Sequence, residues 1–182
     1  MCILAVVTHL RTIEKELRRL ANENNYLFSV TDLRVLLPVL SDVAFKSLLH
    51  RLCKNGYLHR VVKGLFLYPH APFSSGDVLF HVAAKLRNAH FNYLSLETVL
   101  SREGVISQIP IQWISLMSSG RSYRIICNGY GTIEFVHTKR KPSQLLQHLT
   151  YDPLLRLWVA DTYLAIEDMK NTHRSLENYE SI

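Results

Sequence analysis

The chain has 182 residues, enough for one compact domain or for a small domain joined to a moderate one. Hydrophobic residues make up 48% and charged residues 20%, which excludes a disordered chain, and no run approaches the roughly 20 apolar residues of a membrane helix. The net charge of +6, from 21 Lys+Arg against 15 Asp+Glu, favours an anionic partner such as nucleic acid.

That charge is uneven. Residues 1–70 hold ten Lys/Arg and five Asp/Glu, a net of +5. Residues 71–160 hold nine and five, a net of +4, and residues 161–182 hold two and five, a net of −3. The body is basic and the tail acidic. Cys2, Cys53 and Cys127 are far apart and show no zinc-ligand spacing, which points to a reducing, cytoplasmic setting. The start, MCILAVV, lacks the basic leader, long apolar core and cleavage site of a signal peptide.

Leu10, Ile13, Leu17 and Leu20 recur at helical spacing among Arg11, Glu14, Lys15, Arg18 and Arg19, predicting an amphipathic first helix. Thr31 before DLRVLL reads as the cap of a short second helix, ended by Pro38. Ser41-Asp42 opens a third, VAFKSLLHRLCKN, closed by Gly56. Its Phe45, Leu48, Leu49 and Leu52 share one face. The run 57–62, the pair Lys63-Gly64 and the run 65–68 then read as a β-hairpin.

Helix, short helix, turn, helix and two-stranded wing is the order of a winged helix-turn-helix. In that motif the outer side chains of the third helix meet bases and phosphates in the major groove. The groove calls for long donors, Arg for guanine and Lys or Arg for phosphate. The third helix offers Lys46, Ser47, His50, Arg51 and Lys54, and the wing adds Arg60 and Lys63 for flanking phosphate. Across 41–64 the only acid is Asp42, at a helix start where a carboxylate is favoured. The same residues also suit a solvated surface helix, and a winged helix can serve as a protein-docking module.

Residues 71–76, APFSSG, mark a break between domains. Residues 77–87 read as a helix with Val78, Val82 and Leu86 inward, and Ser95 as a cap for a helix over Leu96–Arg102. Three β-runs follow, at 111–117, 123–127 and 132–138, the last two joined by the turn signal Asn128-Gly129. A final helix begins at Pro153 and carries Leu154, Leu157, Trp158, Asp161, Leu164, Ala165 and Asp168. The expected fold is α+β: a winged helix-turn-helix at 1–70, then a mixed domain at 75–170 with an antiparallel sheet flanked by helices. An acidic tail at 171–182 is expected to be loose.

Residues 93–106, YLSLETVLSREGVI, resemble the YxSLxSAL…GLI block of the AbiEi family of antitoxins and autorepressors from abortive-infection toxin–antitoxin operons. Ser118-Ser119-Gly120-Arg121 is similar to that family's Ser/Thr-Gly-Arg strand end, and GTIEFVH at 131–137 to its G-x-[IF]-E-F-x-H. LLHRLCKNGYLHRVVKGLFLY at 48–68 is similar to its amino-terminal domain. Near the end the chain keeps Ala165-Ile166, Asp168 and Met169 of a family helix and lacks its Pro-Glu-Lys. The resemblance implies a repressor that binds an inverted repeat upstream of its own gene. It also implies a second domain that neutralises a nucleotidyltransferase-like toxin.

Catalytic motifs are missing. Glu134 precedes Phe135-Val136, and Lys139 stands five residues on, the wrong spacing for an Asp…Glu-x-Lys metal nuclease. Glu134 is expected to pair with a base or to lie on an exposed sheet face. His81, His90, His137 and His148 form no metal-binding helix motif, and no phosphate loop or nucleophile elbow occurs. No cofactor or catalytic activity is expected, and a metal-dependent nuclease is the weakest alternative. Arg121 and Lys139-Arg140-Lys141 read as solvated turn residues, with phosphate or an acidic partner as the functional alternative.

Overall fold

The computed structural model describes residues 2–107, 110 and 112–175, with side chains from residue 10 onward. The chain divides into two compact units, Met1–Ser75 and Gly76–Ile182. Among the described residues the architecture is α+β with six α-helices and two sheets. Among the described residues no helix is long and apolar enough to cross a membrane.

In the first unit, α1 (Cys2–Leu20) buries Ile13 and Leu17 completely. The strand β1 (Leu27–Ser29) runs straight into α2 (Val30–Val35). The cap of α2 is Ser29, not Thr31. The Ser29 hydroxyl accepts from Asp32 N at 3.0 Å while Asp32 Oδ2 accepts from Ser29 N at 2.8 Å. This reciprocal box satisfies two donors at once, which a Thr31 cap could not do with the partners available. α3 (Asp42–Lys54) starts at Ser41, whose hydroxyl accepts from Ala44 N. β2 (His59–Val62) and β3 (Leu65–Leu67) form the expected hairpin, and β1 completes an antiparallel sheet in the order β1-β3-β2. β1 was not legible because LFS is too short to show alternation.

The second unit holds α4 (Val78–Leu86), β4 (Asn92–Leu94), α5 (Leu96–Arg102), β5 (Trp113–Ser118), β6 (Tyr123–Cys127), β7 (Gly131–His137), β8 (Leu149–Asp152), β9 (Leu157–Ala160) and α6 (Thr162–Asn171). Ile111, the expected start of the first of the three β-runs, lies outside the described residues, as does the tail from 176. The sheet order is β6-β7-β5-β4-β9-β8. The expected antiparallel sheet is mixed, since β7 lies parallel to β5 and β9 parallel to β4. β7 enters between β5 and its own hairpin partner β6, and that insertion fixes its direction. Gly131 permits the insertion: its φ is +126°, and a Cβ there would meet the Gln112 carbonyl oxygen at 2.1 Å.

The helix expected from Pro153 begins only at Thr162. Residues 149–160 form the hairpin β8–β9 instead. Asp152 organises its turn by accepting from Leu154 N at 2.8 Å and Leu155 N at 3.1 Å, with Arg156 at φ +59°. Asp161, read as one position on the long helix, is the cap of α6 and accepts from Leu164 N at 2.8 Å.

Ser95 stands at the cap position of α5 without capping it. Its hydroxyl donates instead to Asp168 Oδ2 at 2.7 Å, and Arg140 reaches Oδ1 at 3.3 Å. Asp168 is 1% exposed. Burial raises its pKa above the ordinary 3.8, against the opposing pull of Ser95 and Arg140. The folded state therefore holds this proton more tightly than the unfolded chain, and stability falls as pH rises from 3.8 through the raised value. Asp168→Asn is expected to flatten that part of the stability-versus-pH curve, measured by urea unfolding at a series of pH values. An unchanged curve would show that Asp168 is not the titrating group.

Candidate nucleic-acid interface

α3 is two-faced. Phe45, Leu48, Leu49 and Leu52 are buried at 4, 4, 8 and 0% exposure, and they seat the helix on the core of the first unit. Val43, Lys46, Ser47, His50, Arg51 and Lys54 follow each other along the opposite side and are all exposed. At about 1.5 Å per residue the helix is roughly 20 Å long, enough to present this stripe along a groove.

The hairpin is built on the same division. Val61 and Val62 are buried, whereas His59, Arg60 and Lys63 are exposed. The register slips between Arg60 and Val62, a bulge that sends Val61 and Val62 both inward. Gly64 turns the chain at φ +85°, and its carbonyl accepts from Val30 N at 3.0 Å. The tip beside Lys63 is thus tied to the first residue of α2. Arg60 lies close enough to Cys53, near the end of α3, to offset part of the rise that burial imposes on the thiol pKa. The base of the hairpin therefore adjoins the carboxyl end of the helix.

Acids elsewhere in this unit are engaged by neighbours. Glu14 pairs with Arg18 at 3.3 Å, Glu16 with Arg19 at 2.8 Å and Asp42 with Arg34 at 3.2 Å. Asp32 serves the α2 cap. Each exposed pair contributes little to stability, but the pairing cancels charge. Of the unit's ten cations, Arg18, Arg19 and Arg34 take part in these pairs; five of the other seven, Lys46, Arg51, Lys54, Arg60 and Lys63, lie on α3 and the hairpin, and Arg11 and Lys15 lie on α1. Among the described residues, the side chains of Lys46, Arg51, Lys54 and Lys63 make no hydrogen bond or ion pair.

All seven residues expected at the site are exposed, five on one side of α3 and two on the hairpin. Two others share these surfaces and were not singled out from the sequence. Val43 is 80% exposed in the first turn of α3. His59 is exposed at the start of β2. Val43 precedes Lys46 by three residues and Ser47 by four, and that spacing was the available signal.

In the second unit Glu134 is paired with two bases. Arg124 reaches its Oε1 at 3.2 Å and Arg174 its Oε2 at 3.0 Å. Arg174 also grips Glu97 with 2.8 and 2.9 Å contacts. The tail expected to be loose from Asn171 is thus anchored as far as Arg174. Arg140 joins Asp168, while Lys139 and Lys141 are exposed. Among the described residues no group of three or more His, Cys, Asp or Glu could hold a metal ion. No family model matches the chain, and no curated protein matches it.

Proposed function

We propose that the first unit is a winged helix-turn-helix and that the chain is a DNA-binding transcriptional repressor. The observation that carries this reading is the outer face of α3. Lys46, Ser47, His50, Arg51 and Lys54 form one exposed stripe, with Arg60 and Lys63 on the adjoining hairpin and no acid among them. α3 enters the major groove, one copy per half-site of an inverted repeat, and the hairpin follows the flanking backbone. Arg51 can address guanine O6 and N7 with two donors, while Lys54 and Lys63 act as point charges on phosphate.

A gel shift in a salt series tests this, with DNA from upstream of the gene against a scrambled duplex. Specific retardation that weakens with salt is the expected result. Equal weak binding to both duplexes would reduce the unit to a protein-docking module. Within the specific complex Arg51→Ala is expected to cost about 1–3 kcal/mol and to relax preference at one position. Lys63→Ala is expected to weaken all sequences alike and to lower the salt slope by about 1. Identical behaviour of the two variants would remove this division of labour.

A second reading, neutralisation of a nucleotidyltransferase-like toxin by the second unit, is favoured by one observation. Two segments similar to AbiEi blocks, 118–121 and 131–137, meet at one end of the sheet. Ser118 pairs with His137 across β5 and β7, and the His137 ring contacts the Gly120 carbonyl at 2.9 Å through Nδ1. Copurification of the second unit's surface variants with such a toxin tests it, and retention by all of them would argue against this end of the sheet.

A further inference from the structure

In the first unit the exposed large hydrophobic residues described are four valines, and all lie around the α2–α3 connection. Val30 is 39% exposed, Val35 71%, Val39 83% and Val43 80%. A single exposed apolar residue needs no explanation, but a cluster on one segment does. Val43 stands out among them, because it occupies the first turn of the helix whose remaining outer positions are Lys46, Ser47, His50, Arg51 and Lys54. Valine gains nothing there from the protein: it is a middling helix former and its side chain is in water.

We propose that Val43 is a specificity-determining residue that packs against the 5-methyl group of a thymine in the major groove. The inference rests on the DNA-binding reading above. A recognition helix meets base edges chiefly with its amino-terminal residues, and of the exposed apolar residues in that turn, Val43 and Ala44, Val43 has the larger side chain and stands three and four residues before Lys46 and Ser47. Of the four bases only thymine presents a methyl group in the major groove, so apolar contact there selects A·T at one position. The cations further along α3 supply the attraction that carries an apolar surface onto a polyanion. Val39, in the turn before α3, is a second exposed methyl-bearing residue.

The full chain is used to select bound sites from a random duplex library, and the selected site is resynthesised with deoxyuridine replacing each thymine in turn. Uracil differs from thymine by the methyl group alone. At one thymine the wild-type chain is expected to lose about fourfold in affinity, the value of one buried methyl. Val43→Ala is expected to bind the thymine and uracil duplexes alike, and Val43→Thr, which keeps one methyl, to retain part of the discrimination. Since Val43 is exposed, neither variant disturbs the core. Tight, specific binding that tolerates uracil at every position overturns the thymine contact and leaves the repressor reading intact. A uracil penalty that persists unchanged in Val43→Ala overturns the assignment to Val43. Absence of any selected site or DNA binding overturns both readings.

Discussion

Raising salt from about 50 to about 200 mM is expected to weaken binding to duplex DNA by about 150-fold, on a log–log slope of about −3.6 from four phosphate contacts. The four cations are Lys46, Lys54, Arg60 and Lys63, and Arg51 is left out because its guanidinium is assigned to a base. Each neutralised phosphate releases about 0.9 of a counterion from B-DNA, so the effect is entropic and independent of sequence. The double variant Lys46→Glu/Lys54→Glu replaces two of these contacts by like-charge repulsion. Its slope is expected to fall by at least about 2, with binding at low salt largely abolished. Both side chains are exposed, so the loss will not come with unfolding, and circular dichroism can check that. A slope near zero for the wild-type chain would place its basic stripe outside the complex.

The second large effect concerns stability. Arg174→Met is expected to cost the second unit about 3 kcal/mol, the lower end of what removing one member of a buried ion pair costs. Arg174 is partly buried and holds Glu97 with two contacts and Glu134 with a third. Glu97 is 7% exposed, so losing its partner strands a charge that water reaches poorly. Burial disfavours the Arg174 charge, but its two carboxylate partners outweigh that, and its pKa stands above the ordinary value. Glu97→Gln in the Arg174→Met background should recover much of the loss, because a neutral amide there carries no unpaired charge. The chain's two tryptophans, Trp113 and Trp158, both lie in this unit. Their fluorescence during urea unfolding therefore reports on it selectively. A midpoint unchanged by Arg174→Met would mean that these contacts add nothing to stability.

Local signals proved legible where chemistry and periodicity agreed. The α3 boundaries follow from Ser41 and Gly56, and its buried face from Phe45, Leu48, Leu49 and Leu52, because cap and period both act within a few residues. The hairpin β6–β7 follows from Asn128-Gly129 for the same reason. One cap was misassigned where two hydroxyls competed, and another holds its expected position without the capping hydrogen bond. Ser29 and Thr31 both precede apolar positions, and only the reciprocal contact with Asp32 decides between them. Ser95 has a good capping position, but its hydroxyl is claimed by Asp168, seventy-three residues away in sequence.

The stretch 149–171 shows how periodicity can mislead. Leu154, Leu157, Trp158, Asp161, Leu164 and Ala165 fit a helical stripe, yet the first half is a hairpin whose partner strand β4 lies far back in the chain. An apolar spacing of three and four is also met by a strand, a turn and a helix in succession, when each contributes one or two buried residues. The outward face of α3 was readable for the opposite reason: among the described residues the side chains of Lys46, Arg51 and Lys54 make no hydrogen bond or ion pair.

The sequence by itself determined the α+β class, the helix and hairpin order of the first unit, and the charge of its outer surface. All three depend on interactions spanning a few residues or on composition. Only the tertiary structure decided the parallel pairings β4–β9 and β5–β7, the burial of Asp168 against Ser95 and Arg140, and the joining of Glu97, Glu134 and Arg174. Those contacts join residues from 19 to 77 positions apart. Their geometry follows from how the sheet closes, to which no local propensity responds.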